Sequence, residues 1–186
     1  MIAQKWKKPT CIYKWEELLP KFKEVSWNLW ENIYLMSYKN CRDTKLQTLQ
    51  YKIINNIINC NEKLENWKIR LSNNCEYCID KKETIIHYFV TCPVIKKFWN
   101  TLLNWWNNQK ILIINTQGEN IVEHLIFGFF EKGKNYEILN YILLQARKYV
   151  YNCNQDNRKN VNFCHFLIIL KYNLSIEQII RKNNNK

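Results

Sequence analysis

The residues of this chain best suited to chemistry are three cysteines and one histidine within a short stretch. Cys75, Cys78, His87 and Cys92 follow the spacing C-x2-C-x8-H-x4-C. Two cysteines separated by two residues place both sulfurs on one tight turn, and a histidine and a cysteine from a following short helix can complete a tetrahedron around Zn²⁺. The pattern therefore predicts one zinc site.

The predicted site is closed, because three thiolates and one neutral imidazole leave tetrahedral zinc no position for water. We expect a single ion that stabilises the fold and performs no catalysis. Cys92 precedes Pro93, a residue favoured at the first position of a helix, and the helix dipole there favours a thiolate. The alternative is a set of buried free cysteines beside a packed histidine, but the complete four-ligand spacing favours zinc.

A family resemblance extends on both sides of these four residues. It is carried by Glu83 and Thr84, Cys92 and Pro93, Phe98 and Trp99, with the upstream runs TKLQ (44–47) and QYKII (50–54) and the downstream runs FGF (127–129) and LNY (139–141). From about residue 27 to about residue 180, the chain resembles the zinc-binding region that follows the reverse transcriptase in non-LTR (long interspersed element) retrotransposons. One departure is Ile79, which stands where many members carry Gly or Asn.

The resemblance implies a function and a set of partners. In that family the corresponding region is thought to bind the element's RNA or its target DNA during target-primed reverse transcription. It implies a zinc-binding module for this chain, with RNA or DNA as the partner. The reverse transcriptase and endonuclease parts of the same element are the further partners that it implies.

The overall charge agrees with an anionic partner. The 186 residues carry a formal net charge of +12, which favours association with nucleic acid. Compositional bias is the other explanation, because the chain is rich in Lys, Asn and Ile, the residues that A/T-rich codons supply.

A basic surface near the zinc loop is the predicted nucleic-acid contact. The cluster itself carries about −1, three thiolates against Zn²⁺, so it does not attract phosphate directly. We expect zinc to rigidify a loop that presents Lys81 and Lys82 beside Lys96 and Lys97. The same predicted surface extends through Arg42, Lys45, Lys52 and Arg70.

Hydrophobic periodicity predicts a mainly α fold, a compact helical domain around a small CCHC zinc knuckle with at most one short strand or hairpin. Ser26 and Asp43 suit N-cap positions, and Thr84 suits the cap of the short helix that bears His87. The predicted helices cover residues 26–36, 43–57, 61–69, 84–90, 93–107, 136–151 and 161–170, with a brief strand at 111–114, a loop at 115–120 and a last turn opened by Ser175 and Gln178. In the second of these helices we expect a buried stripe of Leu46, Leu49, Ile53 and Ile57. The helix over 93–107 should bury one face, formed by Ile95, Phe98, Trp99, Leu102, Leu103 and Trp106.

The predicted domain organisation is simple. We expect a basic leader over residues 1–25, one helical zinc-binding domain over 26–180 with the knuckle at 75–92, and a disordered tail over 181–186. The N-terminus lacks the apolar segment of a secretory signal, which favours an intracellular location in the cytoplasm or nucleus. No apolar run approaches the length of a membrane span, so no membrane association is expected, and the oligomeric state stays open.

Enzymatic activity is not expected. The paired carboxylates that a polymerase needs for two metal ions, carried by the reverse transcriptase family in a Tyr-x-Asp-Asp type motif, do not occur in the sequence. His124 and His165 lie alone on apolar stretches and read as core residues. The second functional hypothesis is a zinc-stapled protein-interaction module, in which an aromatic residue such as Trp105 anchors a protein partner.

Overall fold

The computed structural model describes residues 8–115, 121–130, 133–156 and 160–183. Within these ranges the chain is helical and has no strand, which confirms the mainly α fold class. The elements are α1 Thr10–Leu18, a 3-10 helix Pro20–Glu24, α2 Trp27–Asn40, α3 Thr44–Ile54, α4 Asn61–Asn66, a π-helical turn His87–Thr91, α5 Pro93–Asn108, α6 Ile121–Phe127, α7 Lys134–Gln155 and α8 Phe163–Asn183.

Two helices begin at the N-caps predicted for them. The Ser26 hydroxyl accepts from the Leu29 amide at 3.4 Å, and the Asp43 carboxylate accepts from the Lys45 amide at 2.8 Å. Each cap satisfies an amide that the first helical turn leaves without a partner, and each contributes about 1 kcal/mol. Sequence therefore placed the starts of α2 and α3 correctly.

The core lies where α5 and α7 meet the other helices. The six apolar residues of α5 predicted to share a face are all buried: Ile95, Phe98, Trp99, Leu102, Leu103 and Trp106. Helix α7 packs against α2, α3, α8 and the π-helical turn. The Trp99 indole also donates to the Phe89 carbonyl at 2.6 Å. The start of α5 is thereby attached to the stretch that carries the predicted metal ligands.

The N-terminal segment belongs to this core, unlike the leader predicted over residues 1–25. Ile12 and Trp15 of α1 are fully buried. The Trp15 indole donates to the Ile54 carbonyl at 2.7 Å, and its ring packs edge-on to Phe127 with centroids 4.9 Å apart. The described domain thus starts before residue 26, while residues 1–7 of the predicted leader lie outside the described part.

Two smaller predictions were wrong. Residues 111–114 form no strand in the described structure; instead the Asn107 side chain pairs with both backbone groups of Ile114, at 2.8 and 2.9 Å. Ile57, predicted to extend the buried stripe of α3, lies beyond the end of that helix and is half exposed. The loop predicted at 115–120 falls largely outside the described residues.

Helix α8 is longer than predicted. It continues through Ser175, whose hydroxyl donates to the Lys171 carbonyl at 3.1 Å and therefore opens no new helix. Glu177 accepts from the Arg42 backbone amide at 3.1 Å and from Arg181 at 2.9 Å, which anchors α8 to the α2–α3 junction. Of the predicted tail, residues 181–183 are helical and residues 184–186 are not described.

By length and composition alone, α8 also meets the requirements of a membrane span. Phe163–Lys182 has a mean hydropathy of 1.2 over its best window, of which 17% is buried in the fold. These criteria do not separate a membrane-spanning helix from one packed on a soluble domain. The absence of membrane association stays a prediction.

Candidate metal centre and basic surfaces

The first two cysteines of the motif lie on a short closed loop. The Ile79 amide donates to the Cys75 carbonyl at 2.8 Å, and the Cys75 amide donates to the Lys81 carbonyl at 2.8 Å. An isolated antiparallel bridge joins Asn74 to Lys82 at the base of the loop. These bonds hold Cys75 and Cys78 on the same turn, as their spacing predicts.

The other two members of the motif come from the π-helical turn and the start of α5. The Thr84 hydroxyl accepts from the His87 amide at 3.1 Å, which confirms the predicted cap. The Cys92 amide then donates to the His87 carbonyl at 3.1 Å, the wide i to i+5 bond of a π turn. Such turns occur frequently at functional sites, and this one brings His87 and Cys92 toward the cysteine loop.

The four side chains meet in the geometry of a tetrahedral metal site. Their candidate ligand atoms all lie within 4.8 Å of one another. The Cys75 and Cys92 sulfurs are 3.8 Å apart, and the Cys78 sulfur is 3.4 Å from Nε2 of His87. A tetrahedron with Zn–S bonds of about 2.3 Å has S···S edges of about 3.8 Å. The donor set and its spacing therefore fit Zn²⁺.

The surroundings also favour a cation at this point. Burial raises the pKa of the Cys75 thiol to about 12, and the adjacent Cys92 sulfur adds to this shift. Because a Cys75 thiolate is unfavourable here without a counter-charge, a divalent ion would be needed to hold this side chain deprotonated. Burial, followed by the charge of Lys81, lowers the pKa of His87, which keeps the imidazole neutral as a metal ligand requires.

The remaining cysteines and histidines take no part in a second cluster. In the described part of the chain, the group above is the one set of three or more potential metal ligands. Cys11, Cys41, Cys60 and Cys153 are buried, and Cys164 is exposed. His124 stacks on Phe129 with ring centroids 4.3 Å apart, and His165 lies 3.2 Å from the Tyr149 hydroxyl.

Polar contacts that were not predicted from the sequence brace the cysteine loop. Asn61 is central: its amide nitrogen donates to the Asn74 carbonyl at 2.7 Å and its backbone amide donates to the buried Glu83 carboxylate at 3.1 Å. Its side-chain oxygen accepts from Arg70 at 2.9 Å. No local spacing indicated these contacts, because they join α4 to the loop across several residues.

Two of the cations predicted to contact nucleic acid are paired within the protein. Arg70 makes an ion pair with Glu76, and Lys82 pairs with Glu62 at 2.9 Å, which raises the pKa of the exposed Lys82 ammonium. Both pairs fix the cysteine loop to its neighbours. Their charge is partly neutralised before any ligand approaches.

Lys81 and Lys96, in contrast, line one groove beside the metal site. The groove has a volume of about 800 Å³ and lies between the outer face of α5, the π-helical turn and α6. Asn100 and Asn104 add polar groups on the α5 side, and the apolar residues that line it are Val90, Trp99, Leu103, Ile121, Val122 and Leu125. Lys97 is exposed on α5 but does not line the groove.

Lys45 and Lys52 come together at a different place. They line a second pocket with Lys148 of α7, a residue that no motif or spacing in the sequence indicates. Arg42 is exposed next to α3, where only its backbone amide has a described partner, Glu177. The eight predicted cations are thus divided among two ion pairs, two concave surfaces and two isolated positions.

Comparison with known proteins agrees with the metal site. Residues 10–99 match the family described as zinc-binding in reverse transcriptase. The matched segment runs from α1 into α5 and contains all four members of the cysteine–histidine cluster. A search of curated proteins and a search of solved structures found no match. The match and the cluster together support a reverse-transcriptase-associated zinc-binding region in this chain.

Proposed function

We propose that the chain is a non-catalytic zinc-binding module of a non-LTR retrotransposon reverse transcriptase, or a free-standing fragment of one. It binds RNA or DNA through a basic surface, inside the cell, during target-primed reverse transcription. The family match over residues 10–99 and the Cys75, Cys78, His87 and Cys92 cluster support the zinc-binding part of this proposal.

The groove shared by Lys81 and Lys96 is the observation that carries the nucleic-acid part. Lys81 lies on the loop that Cys75 and Cys78 close, and Lys96 donates its backbone amide to the carbonyl of Cys92 at 2.7 Å. Each ammonium group is therefore attached to a different half of the cluster. Zinc bound there fixes the spacing of the two cations, so they can face successive phosphates without further ordering.

The remaining walls of the groove suit a nucleic-acid strand. Asn100 and Asn104 lie one helical turn apart on α5, and their amides can donate to phosphate or sugar oxygens and accept from base edges. Ile121 and Val122 of α6, which are partly exposed, also line the groove and offer a surface for the face of a sugar or base. Both RNA and DNA present these groups, so the proposal covers either.

The test is binding of fluorescent RNA and DNA oligonucleotides, single-stranded and duplex, to zinc-loaded protein over a salt series. Contacts with about four to six phosphates give a log–log salt slope near −4 to −5. Substituting Lys81→Gln together with Lys96→Gln should make the slope shallower by about 1 to 2 and leave the zinc content at one ion per chain.

A matched control is Lys134→Gln together with Lys171→Gln, two exposed lysines that line neither concave surface. This control removes the same charge and should lose less affinity than the groove variant. Equal losses of affinity in the two variants would show that binding depends on the net charge of the protein and not on the groove. Absence of binding at low salt, or a flat salt response, would exclude the nucleic-acid function.

A protein-interaction module is the second candidate, and exposed apolar residues favour it. Trp67, Ile69 and Leu71 are 55%, 67% and 103% exposed just before the cysteine loop. Trp105 does not serve this purpose, because it is half-buried against the Phe163 ring at 6.1 Å. Binding to the reverse transcriptase part of an element that is lost on Trp67→Ser, but kept in the Lys81 and Lys96 variant, would favour this function.

A further inference from the structure

The pocket between α3 and α7 collects positive charge without a matching number of carboxylates. Lys45 and Lys52 from α3 and Lys148 from α7 line a cavity of about 210 Å³, together with Thr44, Thr48, Leu49 and Tyr151. This volume holds roughly seven water molecules at about 30 Å³ each. It is ample for one tetrahedral anion with part of its hydration shell.

No ammonium group of the pocket makes an ion pair within the described ranges, and neither Thr44, Thr48 nor Tyr151 uses its hydroxyl in a hydrogen bond there. Among the described residues, Asp43 is the carboxylate whose charge acts on Lys148, and its side chain accepts from the Lys45 amide as the N-cap of α3. The three lysines of the pocket carry two more charges than this carboxylate offsets. The pocket offers three charged and three neutral donors that the fold itself leaves available.

The environment of Lys148 disfavours the charged form of its side chain in the free protein. Its side chain is partly buried, and its ammonium lies 5.4 Å from the centre of the Tyr151 ring. Burial lowers the pKa of Lys148, Asp43 opposes this shift, and the charges of Lys45 and Lys52 add to it. The charge of an anion in the pocket would offset both the cost of desolvating Lys148 and the mutual repulsion of the lysines.

We propose that this three-lysine pocket binds a phosphate group. Phosphate carries three or more acceptor oxygens and a charge of −1 to −2, which matches the number of donors and the excess charge of the site. A phosphodiester of nucleic acid and the terminal phosphate of a small molecule share this chemistry. The pocket is formed by residues of α3 and α7, none of which lines the groove beside the metal site.

The test uses inorganic phosphate as the probe. Zinc-loaded full-length protein is titrated with phosphate at constant ionic strength, and the side-chain signals of Lys148 are followed by NMR. The expected result is a saturable shift with a raised Lys148 pKa. Lys52→Gln, at an exposed position, should weaken the apparent affinity several-fold. Lys134→Gln should leave it unchanged. Retained zinc and an unchanged circular dichroism spectrum establish that each variant is folded.

Two results would overturn the proposal. One is the absence of a saturable response of Lys148 to phosphate, and the other is a response of the same affinity in Lys52→Gln and wild type. Because this readout involves no nucleic acid, the pocket can be accepted or rejected even if the protein binds neither RNA nor DNA.

Oligonucleotide binding then identifies the source of the phosphate. If Lys52→Gln also weakens binding of different RNA or DNA sequences to the same extent and makes the salt slope shallower by about 1, the ligand is a backbone phosphate. If phosphate binding is lost while oligonucleotide binding equals that of wild type, the site serves a small phosphate-bearing compound. Both outcomes support a phosphate site.

Discussion

At the scale of single residues, Ile79 has a backbone conformation that branched side chains rarely adopt. Its φ is 61°, and its side chain is 70% exposed. The left-handed region costs an L-residue roughly 1–2 kcal/mol, whereas Asn and Gly visit it readily. The Ile79 amide closes the cysteine loop at Cys75, so the loop itself imposes the conformation.

Replacing Ile79 by Asn should raise the free energy of unfolding by about 1 kcal/mol, because the strain is relieved and little buried surface is lost. Urea unfolding of zinc-loaded protein measures this effect. Ile113→Asn is the control, since Ile113 is 78% exposed and is not among the residues with positive φ. A lower stability for Ile79→Asn would mean that the isoleucine side chain contributes more than its backbone strain costs.

Arg147 is a second residue whose environment is unfavourable. It is 1% exposed, and its Nη1 donates to the Leu125 carbonyl at 2.8 Å. Among the described residues its Nε and Nη2 have no hydrogen-bond partner. Burial lowers the pKa of the guanidinium to about 9. A buried cation with one neutral partner costs stability, because its lost hydration is not replaced.

Arg147→Met should therefore raise the free energy of unfolding by about 1 kcal/mol, since methionine fills much of the same volume without the buried charge. Arg147→Ala should lower it through the cavity that it creates. Thermal unfolding of the two variants and the wild type distinguishes charge from volume. If Arg147→Met lost more than about 2 kcal/mol, the guanidinium would have to be satisfied by buried water or an anion.

At the scale of elements, Gly128 sets the junction between α6 and α7. Its φ is +96°, and its amide donates to the His124 carbonyl at 2.8 Å as α6 ends. The next residue, Phe129, exchanges two hydrogen bonds of 2.8 Å with the Asn140 side chain. This junction locks the FGF segment (127–129) onto α7.

Gly128→Ala should destabilise the protein by more than about 2 kcal/mol. An added Cβ would lie 2.3 Å from Sδ of Met36 and 2.7 Å from Oδ1 of Asn140, so the Asn140 clamp must move. Gly133→Ala is the matched control, because its φ of +136° is also unsuited to alanine but its nearest contact is 3.9 Å. Chemical denaturation should show the larger loss for Gly128→Ala. Equal losses would assign the whole effect to backbone strain.

The cysteine loop and the π-helical turn form another unit, which the bound metal should hold together. Structural zinc contributes on the order of 10 kcal/mol to small sites, and the cysteine loop itself buries little apolar surface that could replace it, since Ile79 is exposed and Cys78 is half-buried. Chelation, or Cys78→Ser, should release one zinc and abolish hydrogen-exchange protection over residues 75–92.

Helix α7 should keep its hydrogen-exchange protection after zinc is removed, because it packs against α2, α3 and α8 as well as the π-helical turn. Cys164→Ser, at an exposed cysteine outside the cluster, should keep both zinc and protection. Mass spectrometry gives the metal content and the exchange pattern in the same experiment. Unchanged protection over 75–92 after zinc removal would contradict a structural role of the metal.

At the scale of the whole molecule, positively charged side chains outnumber negatively charged ones. The formal net charge is +12, and the ion pairs among the described side chains include Lys8 with Glu16, Arg70 with Glu76, Lys82 with Glu62, and Arg181 with Glu177. Self-repulsion of this size destabilises a compact state. Screening should relieve more repulsion than it removes attraction.

We therefore expect the melting temperature of zinc-loaded protein to rise by a few degrees between about 0.05 and 0.5 M sodium chloride, as the Debye length falls. Differential scanning fluorimetry in a non-phosphate buffer measures this without occupying the three-lysine pocket. Lys134→Gln together with Lys171→Gln should reduce the salt effect. A melting temperature that falls with salt would show that the few ion pairs dominate.

Features that depend on near neighbours in the chain were determined by the sequence itself. The spacing of Cys75, Cys78, His87 and Cys92 predicted one cluster, the apolar period predicted the buried face of α5, and Ser26 and Asp43 predicted the helix starts. Each of these rests on turn or helix geometry over a few residues, or on a motif whose fold is local. Long-range information was not needed for them.

The tertiary structure alone decided which distant residues share a surface. The burial of Trp15 depends on Ile54 and Phe127, and the continuous α8 depends on the anchoring of Glu177 and Arg181 beside α2 and α3. Lys148 joins Lys45 and Lys52 only because α7 packs on α3. The position of an exposed lysine in the sequence does not indicate which distant residues lie next to it in the fold. The division of the basic residues into ion pairs, a groove and a pocket therefore depends on how the helices pack and could not be predicted from the sequence.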